Sequence, residues 1–115
     1  MANTFKLKTK ADVSTTAETL YTVPATIDSA IVLGLILANK VSGPIEATVL
    51  LNSATTDNEV NENVTLLNAI PIPDHSTLEM FSGQKLVLQP NDSILVSCDS
   101  STSLDVSLSI LEVSS

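Results

Sequence analysis

Apolar and polar residues alternate with period two through most of this chain, and turn residues cut the pattern into short bursts. Between residues 70 and 113 the punctuation is Pro71, Pro73, Gly83, Pro90 and Asn91-Asp92. The bursts predict strands over 77–81, 85–89, 93–98 and 104–113, because a half-buried strand shows alternate residues to the core and to solvent. In the last of these, Leu104, Val106, Leu108 and Ile110 share one face, with Asp105, Ser107 and Ser109 opposite. The alternation breaks at Leu111, which marks a bulge or a contact with another subunit.

Earlier residues follow the same rule. Residues 3–8 place Phe5 and Leu7 on one face and Lys6 and Lys8 on the other. Residues 11–17 are small and polar and read as a loop. Thr19-Leu20-Tyr21-Thr22-Val23 is a short strand closed by Pro24. Residues 29–40, SAIVLGLILANK, put Ile31, Leu33, Leu35 and Leu37 on one face against Ala30, Val32, Gly34, Ile36 and Ala38. Both faces want burial, so another chain or a loop is expected to cover the outer one. Branched residues, Gly34 and the short length favour a strand over a helix. Residues 41–44 form a turn into a strand over 45–52, and the two strands read as a hairpin. Residues 53–63 hold little that could drive burial. A strand over 64–70 follows, and Pro71-Ile72-Pro73-Asp74 imposes extended backbone and then a turn.

Eight or nine strands without a helix predict an all-β fold, a single-domain antiparallel β-sandwich of about eight strands with jelly-roll or Greek-key connections. It spans residues 1–115, with a basic N-terminal arm over about 1–10 and an acidic loop over 53–63. A chain of this length can bury one adequate core without disulfides.

Charge narrows the possible partners. Thirteen acidic residues against five lysines and no arginine give a net charge of -8, which opposes binding to nucleic acid or to an anionic membrane. No run approaches a membrane span, and no secretory signal is expected at the N-terminus, so the glycosylation spacings at Asn63 and Asn91 read as chance matches. Lys6, Lys8 and Lys10 read either as guards of an exposed edge strand or as a basic arm docking on an acidic neighbour. Cys98, the single cysteine, excludes an intrachain disulfide and reads as a small buried hydrophobe.

Little of the chain resembles catalytic chemistry. His75, the one histidine, adjoins Asp74 and Ser76, but neighbours on an extended chain point in different directions and cannot form a triad by themselves. Asp57, Glu59 and Glu62 could ligate a cation such as calcium, yet the run lacks the glycine and the regular acidic spacing of an EF-hand loop. No phosphate loop, metal-binding histidine pair or nucleophile elbow is present, so neither catalytic residues nor a cofactor is expected.

The order of several segments resembles small β-proteins among the structural genes of tailed bacteriophages. Its carriers are Leu20-Tyr21-Thr22-Val23-Pro24-Ala25, the Leu37-Ala38-Asn39 strand end, Ala69-Ile70-Pro71-Ile72-Pro73, Thr77-Leu78-Glu79-Met80, Lys85-Leu86-Val87-Leu88-Gln89-Pro90-Asn91-Asp92, and the ending that runs from Leu104 to Glu112. The resemblance implies a non-enzymatic virion component made in the bacterial host cytoplasm. That component is a capsid decoration or cement protein, or a neck, tail or fibre part. It also implies a homo-oligomer, a trimer by preference, that contacts the major capsid protein or other virion proteins. The acidic insert has no counterpart in that pattern. A small glycan- or calcium-binding module is the alternative from another class.

An apolar content of 43% and a mean hydropathy of +0.32 fit a domain whose apolar surface meets partners. The candidate interface residues are Lys6, Lys8, Lys10, Ile31, Leu33, Leu35, Leu37, Leu111 and Val113.

Overall fold

A computed structural model of the chain describes residues 2–54, 61–81 and 83–114. Among them are nine strands: β1 (Ala2–Lys10), β2 (Glu18–Thr22), β3 (Ser29–Asn39), β4 (Ile45–Asn52), β5 (Val64–Ile72), β6 (Thr77–Met80), β7 (Leu86–Leu88), β8 (Ser93–Cys98) and β9 (Leu104–Ser114).

Their antiparallel pairing is nested. β4 pairs with β5, β3 with β6 and β7, β2 with β8, and β1 with β9. β6 and β7 lie along successive parts of β3, with Met80 opposite Leu35 and Val87 opposite Ile31, and so act as one interrupted strand. Rolling this long folded ribbon brings β9 beside β3 and β8 beside β4. One sheet then has the order β1-β9-β3-β6 and the other β2-β8-β4-β5, which is jelly-roll connectivity. Pro71 is tolerated within β5 because that strand is an edge, where a missing N–H costs no ladder bond.

Two features depart from the sequence reading. β3 and β4 are not a hairpin but lie in opposite sheets, and residues 41–44 cross between the layers. Buried Asn39 holds that corner: its amide donates to the carbonyls of Gly43 (2.9 Å), Ile72 (3.1 Å) and Pro73 (3.1 Å), and its oxygen accepts from the Val41 N–H. One side chain thus ties both sheet-to-sheet crossings at this end.

The second departure is in β3. Val32 pairs with Ile110 and Gly34 with Ser109, so Leu33 is the extra residue of a bulge. An extra residue reverses the faces beyond it, and Ala30, Val32, Leu35 and Leu37 all point into the core. Leu111 is not a bulge, for β9 runs without a register shift there. Ile110 points inward, Leu111 outward, and Glu112 inward again.

The core lies between the sheets, from Leu35, Leu37, Leu104, Leu108 and Ile110 on one side to Val49, Ile72, Ile94 and Val96 on the other. Each large aliphatic side chain buried there contributes about 1.5–3 kcal/mol from removal of apolar surface from water.

Candidate assembly surface

β1 lies on the sandwich the opposite way round from an ordinary edge strand. Its register sets Lys6 opposite Ile110, Lys8 opposite Leu108 and Lys10 opposite Val106, residues that face the core. Phe5 and Leu7 therefore point outward, at 73% and 64% exposure. The arm expected over residues 1–10 is this strand, and no side chain described in it is buried.

Carboxylates on the inner side explain the orientation. Lys6 Nζ lies 3.0 Å from Glu112 Oε1, and Lys10 Nζ lies 3.5 Å from Glu18 Oε2 on β2. Glu112 also accepts a 2.6 Å hydrogen bond from the hydroxyl of buried Tyr21. Burial pushes the Glu112 carboxyl up, but the bonds from Tyr21 and Lys6 and the charges of Lys6 and Lys8 outweigh it, so its pKa lies below the ordinary glutamate value. Tyr21 moves the other way, raised by burial first and then by the carboxylate it serves. The lysine stems close the open side of the sandwich between β1 and β2, while inward charge guards the edge against stray pairing.

The outward face of the same sheet carries an apolar row. Phe5 lies opposite Leu111, Leu111 opposite Ile31, and Ile31 opposite Val87, so four strands each give one residue to the row. Val87 is 54% exposed, and Leu111 and Ile31 are half-buried by their neighbours. Beyond it come Leu7, Ser109 and the bulged pair Leu33-Gly34, and then Thr9, Ser107, Ile36 and Glu79. The far end holds a recess of about 280 Å³ lined by Thr9, Lys10, Ile36, Ala38, Asp105 and Ser107 among others. Lys40 stands near it, 2.9 Å from Asp105 and bonded also to Asp12. The bond from Lys40 and then the Asp12 amide hold the Asp105 carboxyl below its ordinary value.

Of the residues singled out in the sequence, Ile31, Leu33, Leu111 and Val113 lie half-buried on this sheet, with Leu111 and Val113 on the outward side of β9. Leu35 and Leu37, at 1% and 0% exposure, belong to the core and leave the interface set, because the bulge at Leu33 turns them inward. Lys6 and Lys10 are held by carboxylates of their own chain. Phe5, Leu7, Ile36 and Val87 were not expected there. For Phe5 and Leu7 the signal was Glu112, which shares the parity of Leu104, Val106, Leu108 and Ile110 and so needed inward cations on the strand beside it, while Ile36 faces outward because of the bulge at Leu33.

His75 sits exposed in a turn, its backbone in the left-handed region at φ 53° and its N–H donating to Val41 O. Cys98 is 3% exposed, and burial pushes its thiol pKa up. Asp57 and Glu59 lie outside the described residues, and Glu62 is exposed. Among the described residues no group of three or more His, Cys, Asp or Glu is placed to hold a metal ion.

Two solved structures share this fold. A protein from the disulfide-linked pili formed by Bacillus endospore appendages aligns with 99% of this chain and 88% of its own length, at TM-score 0.53 and 12% identity. A protein of the T13 viral particle of IBDV aligns with 97% of this chain at TM-score 0.56 and 9% identity. The chain spans 31% of that protein's length. No family model matches the sequence, and no curated protein matches it. At such identities the likeness is one of architecture, a β-sandwich of two antiparallel sheets.

Proposed function

We propose that this chain is a non-enzymatic structural subunit of a virion, and within that class a bacteriophage capsid decoration or cement protein. The observation that carries the reading is the row Phe5, Leu111, Ile31 and Val87: contiguous outward-facing apolar residues, exposed at Phe5 and Val87 and half-buried between them, on a chain of net charge -8. Such a face raises free energy in water and is retained where another protein covers it. Leu7, Leu33 and Val113 extend it, and the acidic remainder keeps free subunits apart. Many copies held weakly by symmetry attach tightly through avidity, with the major capsid protein as the shell partner. Synthesis in the host cytoplasm and residence on the virion complete the proposal.

Both structural neighbours come from repeating protein assemblies, which supports a structural role at the level of fold. The pilus neighbour favours a second position, on the neck, tail or a fibre. Disulfide linking of the pilus kind does not suit this chain, since one cysteine cannot join a subunit to two neighbours and Cys98 is buried. Copy number on purified particles separates the two positions: hundreds place the protein on the shell, and six or twelve on the tail axis. Particles lacking the protein should also lose heat resistance. Unchanged resistance would sink the cement role.

A further inference from the structure

We infer that the outward face of the β1-β9-β3 sheet packs on the same face of a second copy about a two-fold axis. The inference rests on the reading of the chain as an assembled subunit and names the occupant of its apolar face.

The row itself is self-complementary. Read from the β1 edge it runs Phe5, Leu111, Ile31, Val87. A two-fold axis lying in the interface along the strands, between Leu111 and Ile31, sets the reversed row on it. Phe5 then meets Val87 of the second copy, and Leu111 meets its Ile31. The largest side chain faces the smallest and the two middle-sized ones face each other, which is how facing layers of a sandwich fill their gap.

Charge points the same way. Strand residues on this face are charged only at Glu79 and Asp105, both toward the end away from the row. Two acidic molecules can approach closely only through a surface that carries almost no charge. A strongly basic or acidic partner would find nothing here to pair with.

The size is also adequate. Four strands about 4.8 Å apart, in contact over about 20–25 Å of their length, give on the order of 500 Å² per copy and on the order of 1,000 Å² in the pair, about the smallest area that holds a specific complex. The free chain is therefore a reversible dimer whose sheet edges stay available for contacts on the shell.

Sedimentation equilibrium of the full chain at low and high sodium chloride tests this. Dimerisation is expected, and it tightens with salt because screening relieves repulsion between two acidic copies. Phe5→Lys and Val87→Glu should each weaken it about tenfold or more while leaving the melting temperature unchanged at concentrations dilute enough for the wild type to be monomeric, since both side chains are exposed. The double variant should regain most of the loss, because each lysine then faces a glutamate of the other copy. In one chain those residues stand three strands apart and cannot pair. A wild-type chain that stays monomeric at both salt concentrations overturns the inference, as do single variants that dimerise normally or a double variant as weak as the singles. Particle copy number tests the decoration reading separately, so a monomeric chain that still coats the shell would sink the dimer alone.

Discussion

Tyr21 and Glu112 meet across the sandwich, the phenol of β2 donating to the buried carboxylate of β9 at 2.6 Å. The bond joins the two sheets at the side where Lys6 and Lys10 take the inward positions of β1. Tyr21→Phe keeps the ring and deletes the donor, leaving the carboxylate with Lys6. A hydrogen bond to a charged group contributes about 1.5–3 kcal/mol, so the urea midpoint should fall by that equivalent at unchanged slope. A midpoint equal to wild type would mean that the bond adds nothing to stability.

Acid should unfold the protein partly through Glu112. Its folded pKa lies below the ordinary value, so its contribution is complete above the unfolded carboxylate pKa and is lost as pH falls through the folded one. Asp105, held down by Lys40 and the Asp12 amide, adds in the same direction. Urea midpoints measured from neutral pH down to about pH 3 should fall less steeply in Glu112→Gln than in wild type. Parallel curves would remove Glu112 from the acid transition. At the alkaline end Tyr21 acts in reverse: its folded pKa is raised, so stability declines as pH climbs past the ordinary tyrosine value of 10.0, and Tyr21→Phe removes that decline.

Removing Leu33 should be tolerated. The deletion leaves Val32 opposite Ile110, Gly34 opposite Ser109 and Leu35 opposite Leu108, a regular strand with every inward residue still inward. Removing Ile36 instead closes the bulge only by drawing Gly34 into the core place of Leu35. That costs about 2–5 kcal/mol, as for other large-to-small core changes. Thermal melts of the two deletions check this, and equal melting temperatures would contradict the placement of the bulge.

Asn39→Ala should cost about 3 kcal/mol. It strips the hydrogen-bond partners from the carbonyls of Gly43, Ile72 and Pro73 and from the Val41 N–H, of which the bond to Ile72 is buried and the others partly so. Asn39→Asp is expected to be equally damaging, because a carboxylate cannot donate to three carbonyls. Chemical denaturation of both variants provides the measurement.

The Cys98 thiol should resist alkylation by iodoacetamide in the native protein and react fully in denaturant, since it is buried and its pKa is raised. Mass spectrometry reads the modified fraction. Rapid native labelling would show that the strand end opens often.

The strands were legible because burial in a two-layer fold writes itself as period two, and β8 and β9 show it plainly in Ile94, Val96, Cys98 and in Leu104 to Ile110. The direction of a face was not legible wherever a residue is added or the environment is inverted. Leu33 turned half of β3 over without any change in composition. In β1 the same alternation fits two orientations, and only the position of Glu112 on a strand more than a hundred residues away decides that the lysines go inward. The turn over 41–44 resembled a hairpin because a local signal cannot tell reversal within a sheet from passage between sheets. Asn39, whose bonds settle the matter, carries no periodic signal.

Nesting has a consequence for the order of events during synthesis. β9 is the neighbour of both β1 and β3, and β8 of both β2 and β4. Until β9 leaves the ribosome, β1 has no partner and β3 lacks one on one side, β2 waits likewise for β8, and among the described strands the pair closed by the shortest connection is β4 with β5. Long-range closure of this kind is slow, because chain entropy is lost before contacts repay it. The inward lysines of β1 then serve a nascent chain as well as a finished one, since a charged strand waits in water for β9 with less tendency to pair with the wrong edge.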